Sequence, residues 1–117
     1  MPPSKRGRFE ARKSAWSFES YDSDWERQYM EELEEDPAVL AWTKRHEIRI
    51  PYEAGNAKRR IFRPDFLVKL QSGKLELRET KGGHLLKESE LKFAAARQWC
   101  AARGMSFVVL TKARLGR

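Results

Sequence analysis

The first clear periodicity lies in "SDWERQYMEELEED", residues 23–36. At about 100° per residue, Trp25, Glu26, Tyr29, Met30 and Leu33 fall on one stripe. The pattern predicts a helix from Ser23 to Asp36, stopped by Pro37, with Glu31, Glu34 and Glu35 on its solvated side. "PAVLAW" (37–42) reads as a short apolar connector. The period then changes to two in "EIRIPY" (47–52), where Ile48 and Ile50 share a strand face. "GNAKRR" is a basic turn. "RIFRPDFLVKL" (60–70) is a second strand, in which Pro64 marks an edge or an irregularity. "QSGK" reverses the chain and "LELRETK" (75–81) returns as a third strand. After the loop "GGHLLKE", a helix runs from Lys87 to Arg103 and stops at Gly104. Leu91, Ala94, Ala95, Trp99 and Ala102 form its expected apolar side. "MSFVVLT" (105–111) is a buried strand. The order is α-β-β-β-α-β, an α/β fold, with Phe62, Phe66 and Phe107 expected in the core.

Composition narrows the class. A chain of 117 residues suits one domain, and 40% hydrophobic with 35% charged residues fits a globular protein with a heavily solvated surface. No run approaches the ~20 apolar residues of a membrane span, and the start has no apolar signal region, so a cytoplasmic location is expected. The single Cys100 excludes an internal disulfide and a cysteine-based metal cluster, and His46 and His84 alone give poor support for zinc.

Charge changes the picture more. The net charge is +4 over residues 1–18, −8 over residues 19–36 and +11 over residues 37–117. Residues 1–16 read as a basic flexible N-terminal arm, followed by one domain over 17–117. Such a basic surface points to a polyanion, nucleic acid foremost, and otherwise only to solubility. The expected phosphate contacts are Lys58, Arg59, Arg60, Arg63 and His84, with Arg8 and Arg12 in the arm.

Two acids stand out against this background. Strand alternation puts Leu75, Leu77, Glu79 and Lys81 on one face of the third strand, so Glu79 and Lys81 continue an apolar row where an unpaired charge is costly. Asp65 lies on the strand joined to it by a tight turn. Two carboxylates ~4 Å apart repel by about 4 kcal/mol at an effective dielectric near 20, so a cation between them is expected. A hard-oxygen set of Asp65, Glu79 and the Thr80 backbone carbonyl suits Mg²⁺ or Mn²⁺. On that reading Lys81 orients or helps deprotonate an attacking water; on the other, it forms a plain salt bridge at a hairpin end.

"PDF" followed after a short hairpin by "ETKG" resembles the PD-(D/E)xK, or restriction-endonuclease-like, nuclease superfamily. The context over residues 16–111 is similar to TnsA endonucleases of transposons and their phage relatives, and to the nuclease domain of type III restriction-type helicase-nucleases. The resemblance implies an αβββαβ core, a mixed central sheet flanked by helices, and Mg²⁺-dependent DNA endonuclease activity. The alternative is a non-catalytic nucleic-acid-binding module of the same fold. It also implies a metal-ligating glutamate on the first helix, where Glu26 matches; the competing reading is a capping box between Ser23 and Glu26. Lys92 matches a lysine that often follows the active strand. Gln98, with Lys87 on the same azimuth, is placed to reach the site, or else is a solvated polar residue. TnsA proteins usually carry a further C-terminal domain, and no helicase motifs occur, so a stand-alone nuclease of phage or mobile-element origin is expected. Its partners are then DNA, a second copy for double-strand cutting, and a recombination, restriction or phage DNA-processing complex.

Overall fold

Ser23 starts the first helix by local chemistry. Its backbone is extended and its hydroxyl accepts from the Glu26 amide at 3.1 Å, so helix α1 (Asp24–Glu35) begins under a side-chain cap. The computed structural model describes residues 6–81 and 87–111. Around α1 and α2 (Lys87–Ala101) it has strands β1 (Gly7–Glu10), β2 (Phe18–Tyr21), β3 (Val39–Thr43), β4 (Ile50–Ala54), β5 (Lys58–Phe62), β6 (Phe66–Leu70), β7 (Leu75–Lys81) and β8 (Ser106–Thr111).

The central sheet has the order β3-β6-β7-β8 and is mixed: β3–β6 and β6–β7 are antiparallel, and β7–β8 is parallel. Its alternating side chains feed two cores. One joins Tyr29, Met30 and Leu33 of α1 to Val39, Trp42, Phe66, Val68 and Leu110. The other joins Phe93, Ala96 and Cys100 of α2 to Leu77, Ile50 and Phe62. Phe66 meets Tyr29 edge-on at 5.2 Å, and Phe93 meets Phe107 at 5.5 Å. Each such buried side chain contributes about 1.5–3 kcal/mol. The fold is α/β, with a helix against each face of a mixed sheet.

The order αβββαβ holds, but its first strand is not the one expected. "PAVLAW", read as a connector, supplies β3. A register shift between Val39 and Ala41 lets Val39 and Trp42, three residues apart, enter the same core, which hides the period of two. "EIRIPY" instead contributes β4, which pairs with β5 as a separate antiparallel hairpin against α2. The strand read over 60–70 is broken at Pro64, which has no amide hydrogen for a ladder, and its halves join different sheets.

The N-terminal segment also departs from the expected arm. Gly7–Glu10 pair with β2, and Ala11 and Ser14 are buried. The cause is a carboxylate read as solvated. Glu34 is buried and accepts from the Arg12 and Lys13 amides, both at 3.0 Å, and from Trp42 Nε1 at 2.9 Å. Burial pushes its pKa up, but these donors outweigh burial and hold it below the usual carboxylate value. Glu19, fully buried, accepts from Ser14 Oγ, Thr43 Oγ1 and the Lys44 amide. Residues 1–5 lie outside the described part. No helix among the described residues is long and apolar enough to cross a membrane.

Candidate active site

The β6–β7 ladder ends with Phe66 opposite Arg78, and side chains take over from backbone pairing. The Asp65 amide donates to Glu79 Oε1 at 3.0 Å. The Thr80 amide and hydroxyl both donate to Asp65 Oδ2, at 2.9 and 2.8 Å. The two acids therefore stitch the open end of the hairpin, each through one oxygen. Because N–H and C=O of one strand residue lean to the same neighbouring strand, the Thr80 carbonyl faces this end as well.

Both carboxyls are pushed above their ordinary pKa. For Asp65 the main cause is burial, offset by the Thr80 donors; the charge of Glu26 adds to the rise and that of Lys44 opposes it. For Glu79, burial and then the charge of Asp65 raise the pKa to about 8, against the pull of Lys92, the Asp65 amide and Lys81. Lys81 stands two residues beyond Glu79 on the same strand face. Lys92 reaches over from α2, its Nζ 5.0 Å from the Phe62 ring centroid.

The other expected residues divide. Glu26 acts on Asp65 through its charge, but its Oε1 accepts from Lys44 Nζ at 2.8 Å and from the Asp22 amide at 3.0 Å. Gln98 is exposed: α2 buries Ser89, Phe93, Ala96 and Cys100, and Gln98 lies across the helix from them. Its alanine-rich sequence left that face poorly marked. His84 and the side chain of Lys87 lie outside the described residues. Lys58, Arg59, Arg60 and Arg63 are exposed. Arg8 lies over the Phe18 ring at 3.9 Å, and Arg12 Nε donates to Glu34 Oε1 at 3.3 Å.

A family profile described as TnsA-like endonuclease N terminal matches residues 36–112. The chain belongs to the TnsA-like endonuclease N-terminal family. No curated protein matches it. The matched segment carries Asp65, Glu79, Thr80, Lys81 and Lys92, whereas α1 and Glu26 precede it.

Two residues of this TnsA-like domain were missed by sequence reasoning. Lys44 neutralises Glu26. His46 Nδ1 accepts from the Ile48 amide at 3.0 Å, so Nε2 carries the hydrogen and donates to the Pro64 carbonyl at 2.7 Å. Burial, with the charge of Arg63, holds the ring's pKa below its usual value. A neutral His46 thus fixes the turn that presents Asp65. The available signal was the run "TKRHE", charged residues crowded just after an apolar stretch.

The donor set suits a small hard cation. Among the described residues no three His, Cys, Asp or Glu side chains gather into a preformed cage. Mg²⁺ is usually held by one or two carboxylates plus waters and substrate phosphates, and Asp65, Glu79 and the Thr80 carbonyl meet that description.

Proposed function

We propose that this TnsA-like domain is a metal-dependent endonuclease that hydrolyses phosphodiester bonds in DNA. The observation that carries the reading is the Asp65–Glu79 pair, two half-buried carboxylates tied by backbone and hydroxyl donors beside Lys81. A cation bound between them would relieve their mutual repulsion. Asp65, Glu79 and the Thr80 carbonyl would hold Mg²⁺, with Mn²⁺ as a substitute. Such an ion, when bound, stabilises charge on the phosphate and acidifies a water.

The protein's own groups do the rest. Glu79 gives up the proton that burial and Asp65 impose on it. Asp65 is held in one orientation by Thr80, and through Pro64 by His46. Lys81 Nζ donates to the attacking water, orienting it in line with the bond that breaks. Lys92 lends positive charge beside Glu79. Glu26 supports this arrangement at one remove by anchoring Lys44. The exposed cations Lys58, Arg59, Arg60 and Arg63 approach the DNA backbone. A double-strand cut from one site per chain calls for a homodimer, and a role in a larger DNA-processing assembly belongs to the same reading, as does a cytoplasmic setting.

The test is incubation of supercoiled and linear DNA with the protein in Mg²⁺, in Mn²⁺ and in chelator. Cleavage confined to the metal-containing reactions is expected. Salt-sensitive binding without cleavage in any of them would favour a non-catalytic module.

A further inference from the structure

The segment before β2 and the loop after β3 display aromatic and guanidinium groups that the proposed hydrolysis does not use. Trp16 is 50% exposed, unusual for so large an apolar ring. It is nonetheless firmly held. Its amide donates to Ser14 Oγ at 3.1 Å, Ser14 Oγ donates to the buried Glu19, and the next residue, Ser17, sits at φ 65° with its carbonyl accepting from Ala11. A turn in a costly conformation therefore presents a tryptophan to solvent. Arg45 stands 4.9 Å from the Trp16 centroid and 4.6 Å from that of Phe18, and is tied to the Phe18 carbonyl and to Glu19.

The same tryptophan lines a cavity of about 210 Å³ on the sheet, with Ala41, Thr43, Leu67, Leu75 and Lys69. An apolar cavity of roughly 150 Å³ accommodates a benzene ring, so this one has room for a planar heterocycle. The lining is mostly apolar; of its two lysines, Lys13 gives its ammonium to the Leu33 and Asp36 carbonyls, and Lys69 is exposed. Leu67 is two residues along the chain from Asp65, roughly 7 Å, and Thr43 precedes the Lys44 that pairs with Glu26. The cavity thus lies beside the candidate active site along the same sheet.

We infer that this cavity takes an unpaired nucleobase of the DNA substrate, stacked on Trp16, with Arg45 and Lys69 beside the adjoining phosphates. The inference rests on the DNA-endonuclease reading and adds a substrate class: DNA with an unpaired tract next to the cut. Base–aromatic stacking with guanidinium support is the usual physics of single-strand binding. The cations Arg45, beside Trp16, and Lys69, in the lining, favour a polyanion over an apolar protein segment.

The experiment measures equilibrium binding in chelator of two duplexes of equal length, one fully paired and one with a short unpaired tract. Wild-type protein is expected to hold the second about ten-fold more tightly. Trp16→Ala is expected to erase that difference while leaving the paired duplex unaffected, and Trp16→Phe to keep most of it. Lys69→Glu, at an exposed strand position, is expected to weaken the tract-bearing DNA more than the paired one. Equal wild-type affinities, or an equal loss on both DNAs in Trp16→Ala, would overturn the inference. So would a change in self-association as the sole effect of Trp16→Ala. If wild-type protein cuts DNA yet shows no preference, only this inference fails; if it neither binds nor cuts, the DNA reading fails with it.

Discussion

Burial and the neighbouring Asp65 keep the Glu79 carboxyl protonated up to about pH 8 in the free protein. Its folded pKa lies above the ordinary 4.5, so the folded state binds the proton more tightly than the unfolded chain. Stability from this group is complete below about 4.5 and is lost as pH rises towards about 8. Glu79→Gln should flatten that slope, raising stability above about pH 8 by on the order of 2 kcal/mol, read as the urea midpoint against pH. On the proposed function, cation binding would displace the same proton, so adding Mg²⁺ near neutral pH should release protons from wild-type protein and not from Glu79→Gln. Glu34 has the opposite sign: its lowered pKa contributes stability above 4.5 that is lost as pH falls through its folded value. Glu79 and Lys81 stand out in the sequence because strand alternation puts their charge on an apolar row, and Asp65 because a tight turn joins its strand to theirs. Lys44, His46 and Glu34 were not, because each is defined by a partner eighteen or more residues away or on another element, where no local period reaches.

Glu34 also decides how the first two strands join the domain. Glu34→Ala would leave the Arg12 and Lys13 amides and Trp42 Nε1 without their acceptor, at a cost of about 3 kcal/mol. Protease cleavage within residues 11–16 should become faster in that variant, more than elsewhere in the chain. The helices and three of the four central strands followed from period and punctuation. β3 did not, since a bulge sets Val39 and Trp42 three residues apart on one side. The buried face of α2 lies nearly half a turn from the expected one, because alanines and arginines surround Phe93 and Cys100 and leave the apolar stripe indistinct. Gln98, expected on the apolar side, is exposed on the far side of the helix.

At the scale of the whole chain, a net charge of +7 works through its distribution. The acid-rich residues 19–36 are partly turned inward: Glu19 and Glu34 brace the N-terminal segment and Glu26 pairs with Lys44. The cations of β5 and Arg63 are left exposed. Binding to duplex DNA should therefore weaken steeply with salt. Replacing Lys58 and Arg59 by alanine should lower the slope of log K against log salt by about 0.9 for each phosphate no longer neutralised. That experiment tests the proposed DNA face, whereas the proposed chemistry depends on the hairpin end.

The most direct measurement there is metal-dependent cleavage by Lys81→Ala and Asp65→Asn, compared with wild type at matched DNA occupancy. Asp65→Asn keeps an acceptor for Thr80, so the fold should be retained while the charge at the proposed cation site is lost. Both variants should bind DNA as wild type does and cut it at least about a hundred-fold more slowly. Cleavage at the wild-type rate by either variant would contradict the account.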